Sequence, residues 1–305
     1  MKFETIEQNG HILDVLTDPE SGLRIMVSRL GAELVSLALN QDGQWIGFLY
    51  RDGDVSPAAS AWNNHATVMG YYIHRIKEGQ TLYRGSTIKG GTHSFLRHKL
   101  FGAPEFDAAQ GSLTYRISPD QIQPEEYPGK VAMALTYRLE EGALRVSFCF
   151  ENLDPDQSAH VSFGLHPGFA VDSLDSAQVI LPFGKYVRHM APGNFLSGET
   201  VEFNQAAGPM PFEKTELPGS FLLELKDVPL PIFELHTDKR RVSLGFEEVP
   251  YVTLWSDGSP FICIEPCWGL PDHSQQRPFE QKEGIQEIPA GGKLQKSCTI
   301  KPSLV

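Results

Sequence analysis

The sequence predicts an all-β protein, built as a large antiparallel β-sandwich. Short runs rich in β-branched, aromatic and other apolar residues follow one another along the 305-residue chain, among them ALRVSFCFEN, HVSFGLH, YVTLWS and FICIEP. Turn-forming stretches such as EEGA, NLDPDQS and SDGSP separate these runs at short intervals. The segments between them show no clear helical period, so stacked antiparallel sheets fit better than alternating strands and helices.

Composition indicates one ordinary globular unit. The chain is 41% hydrophobic and 21% charged, which is typical of a soluble domain. Its 28 glycines and 22 prolines are spread throughout and do not gather into a linker. We find no repeat of fixed period and no low-complexity tract, and all-β folds of this length commonly form one unit. We therefore expect a single domain over residues 1–305.

Charge and cysteine usage exclude several classes of protein. The formal net charge is −12, whereas nucleic-acid binding needs a basic surface, and an anionic membrane surface is disfavoured for the same reason. The first residues, MKFETIEQNGHILDVL, lack the apolar core of a secretory signal, and no stretch is long enough to span a bilayer. No CxxC pair occurs. We expect a cytoplasmic protein with four reduced thiols, at Cys149, Cys263, Cys267 and Cys298.

The stretch VSFGLHPGFA, residues 161–170, places a histidine at the end of an apolar strand. Because side chains alternate between the two faces of a strand, one face carries Val, Phe and Leu. The other face carries Ser162, Gly164 and His166, so it is nearly bare until the imidazole. This pattern is typical of a floor with open space above it. The ordinary alternative to a functional role is a histidine whose ring is hydrogen-bonded to a neighbouring carbonyl.

The stretch PFICIEPCWGLPD, residues 260–272, has a similar design. Ile262 and Ile264 share one face of a strand, and Glu265 ends the other face just before a proline. Its neighbours are apolar, and partial burial would raise the pKa of its carboxyl group and make it a usable base. The alternative is a solvated carboxylate at the rim of the sheet.

A third stretch, residues 69–101, concentrates positive charge in this acidic chain. It contains KGGTHSF, in which a histidine follows a glycine-rich turn, and its histidines and arginines are His74, Arg75, Arg84, His93, Arg97 and His98. Taken alone, it is also compatible with a basic surface hairpin.

Together these stretches resemble the aldose 1-epimerase, or galactose mutarotase-like, family. The family's signatures match MG…HR (residues 69–75), THSFLRH (92–98), GLHPGF (164–169) and IEPCWG (264–269), in the expected order. SRLGAELVSL, residues 28–37, is similar to the N-terminal strand pair of the family. One departure is Ser94, where the family usually has glycine. The resemblance extends over essentially the whole chain.

The resemblance implies a fold and a chemistry. The fold is a sandwich of unusually large sheets, with a pyranose on a concave face above Ser162 and Gly164. In the reaction, a base takes the proton of the C1 hydroxyl and an acid protonates the ring oxygen, so that the ring opens, rotates and recloses. Glu265 resembles the base and His166 the acid, on opposite sides of the sugar.

Other residues match the family's substrate contacts. Arg75 and His93 match residues that bind sugar hydroxyls, and Asp227 aligns loosely with a substrate-binding aspartate. Trp255 and Trp268 are candidates for an apolar platform under the sugar, although each also fits a core position. We expect no cofactor and no metal, because the histidines form no HxH or HxxxH pair. The expected partner is a small aldohexose of hexose metabolism, and the expected assembly is a monomer or homodimer.

Three other functions stay open. A hexose-phosphate 1-epimerase needs extra cations, for which Arg84, Arg97 and Lys99 are candidates, although the net charge disfavours it. A non-catalytic sugar-binding or sensing protein would lose the acid–base pair, and both His166 and Glu265 are present. A glycoside hydrolase needs two carboxylates flanking the scissile bond, and only Glu265 has a suitable place in the sequence.

Overall fold

The computed structural model describes residues 1–58 and 62–305, and it consists of antiparallel strands joined by turns and short 3₁₀ segments. The strands of the described residues are β1 (Lys2–Gln8), β2 (His11–Asp18), β3 (Leu23–Ser28), β4 (Glu33–Gln41), β5 (Gln44–Gly47), β6 (Ala66–Met69), β7 (Gln80–Tyr83), β8 (Ser86–Lys89), β9 (Glu105–Asp107), β10 (Ser112–Ile117), β11 (Val131–Glu140), β12 (Ala143–Asn152), β13 (Ala159–Val161), β14 (Phe163–Ala170), β15 (Gln178–Leu181), β16 (Gly184–His189), β17 (Thr200–Gln205), β18 (Gly208–Pro209), β19 (Phe221–Asp227), β20 (Ile232–His236), β21 (Arg240–Gly245), β22 (Tyr251–Trp255), β23 (Phe261–Trp268), β24 (Gln286–Ile288) and β25 (Lys293–Leu304). The 3₁₀ segments are Lys77–Gly79, Leu96–His98, Pro119–Gln121, Pro192–Asn194, Lys214–Gly219 and Phe279–Gln281. The predicted all-β class is confirmed.

Two large sheets form the body of the sandwich. One has nine strands in the order β18-β15-β20-β21-β25-β12-β11-β10-β9, and the other has seven in the order β17-β16-β19-β22-β23-β14-β6. A five-stranded sheet runs from β1 to β5 in sequence order, and the pairs β7–β8 and β13–β24 complete the fold. Every strand pairing between these elements is antiparallel, as the short turns predict.

Aromatic side chains join the two large sheets. Phe163 on β14 lies 5.2 Å from Phe148 and 4.7 Å from Phe150 on β12, measured between ring centroids. Trp268 on β23 stacks on Phe163 at 4.9 Å, and its indole N–H donates to the carbonyl of Glu248. Since sandwich cores form between inward-facing residues of both sheets, this cluster fixes β14 and β23 as neighbouring central strands.

The alternation predicted for β23 is present. Ile262 and Ile264 belong to the main core. Phe261 and Cys263 belong to a separate cluster with Trp62, on the opposite face of the sheet. Glu265 follows on that second face by the two-residue period of a strand. The sheet thus has one face packed in the core and another that carries Glu265, the candidate base.

The predicted open floor at Ser162 and Gly164 is wrong. The hydroxyl oxygen of Ser162 accepts a hydrogen bond from the backbone N–H of Ile73, at 3.3 Å, and the serine is buried. A Cβ atom on Gly164 would lie 2.5 Å from the carbonyl oxygen of Pro266. These residues are small because neighbouring backbone packs against them, and neither lines the cavity described below. Phe163 and Leu165, by contrast, do pack in the core as predicted.

No helix in the described ranges is long and apolar enough to cross a membrane.

Candidate active site

A cavity of about 320 Å³ opens on the outer face of the seven-stranded sheet. It is lined by polar, basic and aromatic side chains from several strands and loops. The lining residues are Trp62, Asn64, Thr67, His74, Arg75, Thr92, His93, Arg97, His166, Ala191, Asn194, Gly219, Ser220, Leu222, Thr253, Trp255, Glu265 and Pro271. The structure therefore brings four of the five predicted site residues to one cavity, namely Arg75, His93, His166 and Glu265.

Strand register sets a row of four side chains across the cavity floor. Thr253 on β22 pairs with Glu265 on β23, and His166 on β14 pairs with Thr67 on β6. Between β23 and β14, the pairs Gly164–Cys267 and Gly168–Cys263 place His166 opposite Glu265. Adjacent strands lie about 5 Å apart, so residues in one such row are direct neighbours. The row explains why two residues far apart in sequence meet.

Each candidate acid–base residue is followed by a proline. Pro167 follows His166, and Pro266 follows Glu265. The β14–β23 pairing is interrupted at Leu165, His166 and Pro167 and resumes on both sides. Proline has no backbone N–H to donate to a sheet ladder, so the two prolines account for this gap at the floor of the cavity.

His166 and Glu265 are in contact. The Nε2 atom of His166 lies 3.3 Å from Oε1 of Glu265. No sugar ring fits between two atoms at this distance, so the expectation of an acid and a base on opposite sides of the sugar is wrong. Two groups side by side suit a different geometry, because the anomeric hydroxyl oxygen and the ring oxygen of a pyranose are bonded to the same carbon.

Both members of the pair are deeply buried, with 7% of His166 and 1% of Glu265 exposed. Burial disfavours a charged group, so it raises the pKa of Glu265 well above its usual range. The same effect lowers the pKa of His166 to about 4. Burial therefore favours the uncharged forms of both groups, a carboxylic acid and a neutral imidazole.

Two tryptophans hold the imidazole. The Trp62 ring stacks on His166 with centroids 5.5 Å apart, and Trp255 meets it edge-on at 5.7 Å. The indole of Trp62 reaches this position only because residue 168 is glycine, since a Cβ there would lie 2.3 Å from the ring. Trp255 lines the cavity, as one of the two predicted platform residues, whereas Trp268 is a core residue.

His93 is locked to His74 by reciprocal hydrogen bonds. The ring atom Nδ1 of His93 accepts a hydrogen bond from the backbone N–H of His74 at 3.1 Å. The backbone N–H of His93 donates to the backbone carbonyl of His74 at 2.8 Å. Burial lowers the pKa of His93 well below its usual value. A neutral imidazole that accepts at Nδ1 carries its proton at Nε2. His93 is thus fixed as a hydrogen-bond donor at Nε2, with its ring 5.2 Å from that of His166.

The departure at Ser94 has a backbone explanation. Ser94 is buried and has a φ of 67°, in the left-handed region, directly after His93 at 61°. Glycine adopts this conformation without the steric cost of a Cβ atom, which accounts for the family's usual residue there. The chain keeps the same turn with serine.

A buried ion pair holds the wall that carries Arg75. The Lys282 ammonium contacts Oδ1 of Asp272, and both side chains are almost fully buried. Oδ2 of Asp272 accepts from the backbone N–H of Lys77 at 2.9 Å, and the Asp272 N–H donates to the carbonyl of Arg75 at 3.2 Å. The Asp272 carbonyl accepts from the N–H of Leu196 at 2.8 Å. One residue thereby ties together three segments around the cavity.

Asp227 and Lys99 are among the predicted residues that lie elsewhere. Asp227 is exposed at the end of β19, where it pairs with Lys185, and it is not among the residues that line the cavity. Lys99 forms an ion pair with Glu126 at 2.6 Å, also outside the lining. The structure does not bring either side chain to the row of four.

Several lining residues carry no signature that sequence reasoning could use. Thr67 and Thr253 are found only through strand register, and Asn194 and Ser220 come from loops. His74 is an exception, because it adjoins Arg75 in the MG…HR signature. Its Nε2 atom is buried without a hydrogen-bond partner among the described residues.

Among the described residues, His166, Cys263 and Glu265 form the group of side chains that could hold a metal ion. One candidate ligand atom from each lies within 4.8 Å of the other two. The group contains a single histidine, which is distant in sequence from Cys263 and Glu265, so the search for HxH and HxxxH pairs could not find it.

The family model for aldose 1-epimerase matches residues 14–301. The chain belongs to this family. The predicted resemblance is confirmed. No curated protein matches the chain significantly in sequence.

Solved structures of galactose mutarotase-like proteins share the fold of this epimerase-family chain. A galactose mutarotase related enzyme from Lactobacillus acidophilus is 22% identical, with a TM-score of 0.81, and the match covers 99% of this chain and 97% of that one. A galactose mutarotase-like protein from Lactobacillus casei is 23% identical, with a TM-score of 0.79 and coverage of 99% and 100%. One from Clostridium acetobutylicum is 15% identical, with a TM-score of 0.74 and coverage of 100% and 99%. At these identities the likeness shows the fold alone.

Proposed function

We propose that the protein is an aldose 1-epimerase that interconverts the α and β anomers of an aldose by acid–base ring opening. The observation that carries this proposal is the contact of His166 with Glu265 on the floor of the cavity. Two proton-transfer groups side by side face two oxygens on one carbon, which is the arrangement that ring opening needs. Aldose 1-epimerase family membership supports the same reaction.

In this mechanism, one proton is shared by the pair. Burial favours the carboxylic acid of Glu265 with a neutral His166, and transfer of that proton to Nε2 gives a carboxylate and an imidazolium. Glu265 then takes the proton of the C1 hydroxyl while His166 protonates the ring oxygen, and the bond from C1 to the ring oxygen breaks. Rotation about the C1–C2 bond and reversal of both transfers close the other anomer, and the pair holds one proton at every stage.

The surrounding residues would bind and orient the sugar. His93 offers a fixed N–H donor at Nε2, and Arg75 offers a guanidinium to hydroxyl groups on the ring. Trp255 supplies an aromatic surface, on which the apolar face of a pyranose packs well. No cofactor is required for a reaction in which only protons are transferred.

Polarimetry tests this function directly. We expect the purified protein to accelerate the approach of freshly dissolved α-glucose or α-galactose to its anomeric equilibrium. Heat-denatured protein serves as the control, because dissolved sugars also mutarotate without an enzyme. If none of a panel of neutral and phosphorylated aldoses is accelerated, but calorimetry detects binding, the protein is a sugar sensor.

A hexose-phosphate 1-epimerase is the second candidate, and two cations favour it. Arg75 and Arg97 both line the cavity, and no carboxylate of the described residues lies within 4.0 Å of either guanidinium. Arg97 contacts Asn64 at 3.4 Å. A guanidinium that has no carboxylate partner and lines a cavity is well suited to bind a phosphate. Of the cations considered from sequence, Arg84 and Lys99 are not lining residues, and only Arg97 reaches the cavity.

Replacing Arg97 with alanine tests this second function. If the substrate carries a phosphate, kcat/KM for the hexose 6-phosphate should fall about tenfold to a hundredfold, because a hydrogen bond to a charged group contributes roughly 1.5–3 kcal/mol. The rate for the neutral hexose should change much less. Lys99→Ala is the matched control, since it removes a cation outside the cavity. Equal losses on both sugars would assign Arg97 to the ring or to structure.

A further inference from the structure

Cys263 stands beside the acid–base pair and has no part in the proton transfers. It lies two residues before Glu265 on β23, on the same face of the sheet, and is completely buried. One candidate ligand atom of Cys263, of Glu265 and of His166 lies within 4.8 Å of the other two. A thiol, a carboxyl group and an imidazole therefore converge, with Glu265 and His166 lining the cavity and Cys263 buried beside them, outside the lining.

Two atoms of this group have unused bonding capacity. Oε2 of Glu265 and Nδ1 of His166 are buried, and neither has a hydrogen-bond partner among the described residues. Buried polar atoms are nearly always paired, so each unpaired one calls for an explanation. Glu265 is 1% exposed and His166 7% exposed, which leaves bulk water little access to either. The cluster has the features of a site prepared for a ligand.

The donor set selects the kind of ligand. Thiolate, imidazole and carboxylate are the three side-chain ligands of zinc, and three protein ligands with one open position form a common tetrahedral zinc site. Magnesium and calcium need several oxygen ligands and are poorly served by sulfur. The thiol, imidazole and carboxyl group of this cluster therefore favour a thiophilic divalent cation.

We propose that His166, Cys263 and Glu265 form a binding site for a divalent cation of the zinc class, and that this cation blocks the sugar chemistry when bound. On binding, the Cys263 thiol and the Glu265 carboxyl group each release a proton to solvent, and the cation exchanges water ligands for sulfur, oxygen and nitrogen. The loss of sugar chemistry rests on the proposed function, because a cation bound to the carboxylate and the imidazole keeps both groups from exchanging protons with a sugar. Binding itself does not depend on that function.

Charge in the cavity limits which occupied state is stable. Arg75 and Arg97 line the same cavity and oppose a second positive charge. A thiolate and a carboxylate together balance the charge of a divalent cation, so the occupied site adds no net charge. Without the thiol, one positive charge stays uncompensated beside two guanidinium groups. Cys263 is thus the residue on which binding should depend most visibly.

Zinc titration of the untagged full-length protein by isothermal calorimetry tests the site. We expect one zinc ion per chain for the original protein. In Cys263→Ser the affinity should fall at least about tenfold, since even loss of a partner of a metal ligand costs about 10–100-fold. Cys267→Ser is the matched control, because Cys267 lies on the same strand, is equally buried and has its sulfur 3.7 Å from Oγ1 of Thr253.

Cobalt and magnesium sharpen the test. Cobalt should give a thiolate charge-transfer absorption in the original protein and in Cys267→Ser, and none in Cys263→Ser, whereas magnesium should not compete with zinc. Mutarotation should decline in proportion to zinc occupancy and return when a chelator is added. Zinc affinity that is unchanged in Cys263→Ser, or no zinc binding at all, would overturn the site. Cys263-dependent zinc binding in a protein that accelerates no sugar would retain the site and reject the proposed function.

Discussion

Glu265→Gln is expected to lower kcat/KM for the preferred sugar by about 10²–10⁴-fold, which is the typical contribution of a positioned acid–base group. An amide of nearly the same shape can neither release nor accept the transferred proton. The fold should persist, because burial favours the uncharged form of the carboxyl group and glutamine carries no charge either. Polarimetry gives the rate, and calorimetry should show that sugar binding is retained.

Glu33→Gln is the matched control for this variant. Oε1 of Glu33 accepts hydrogen bonds from the N–H of His65 and the hydroxyl of Thr67, so it lies next to the row on the cavity floor, but it does not line the cavity. Its replacement should change the rate only slightly. If Glu265→Gln is folded by circular dichroism and keeps more than half of the original activity, Glu265 is not the proton-transfer group.

The fold could be predicted from the sequence because the alternation of side chains along a strand is a local property. The two-residue period of β14 places Phe163 and Leu165 in the core, and that of β23 separates Ile262 and Ile264 from Glu265. Both divisions are present in the structure. The same reasoning directs His166 and Glu265 to the faces of their strands on which the cavity opens.

Strand register and loop packing could not be predicted from the sequence. Nothing in the sequence says that His166 pairs across to Glu265, so the side-by-side geometry appears only when β14 and β23 are aligned. Ser162 and Gly164 look like an open floor in sequence, but backbone from distant segments covers them. The wall that carries Arg75 depends on Asp272, which meets it through long-range hydrogen bonds.

Asp227 and Lys99 do not line the cavity, and the reasons are related. Asp227 was placed by alignment in a stretch without a signature, and the structure has it at the solvent-exposed end of β19. Lys99 belongs to the basic stretch by sequence, but its ammonium turns to Glu126. Proximity in sequence to a site residue does not determine which side of a turn a long side chain takes.

The acid limb of the pH profile separates this pair from an ordinary catalytic histidine. Because burial lowers the pKa of His166 to about 4, kcat/KM should stay level as the pH falls through 6.5 and decline only near pH 4. Below that pH the pair holds two protons, and no base is left to accept one from the C1 hydroxyl. Burial also lowers the pKa of His93 and, to about 3, that of His74, so neither adds a limb near 6.5.

His166→Asn is expected to lower kcat/KM by about 10²–10⁴-fold and to remove this acid limb from the residual rate, since the group that titrates is gone. Combining it with Glu265→Gln should leave a rate little below that of the slower single variant, because the two residues act in one proton-transfer cycle and such effects are not additive. Rates are measured by polarimetry between pH 3.5 and 8, with circular dichroism at each pH to confirm the fold. A decline of the original protein centred near pH 6.5, or losses that multiply in the double variant, would show that His166 and Glu265 do not work as a buried pair.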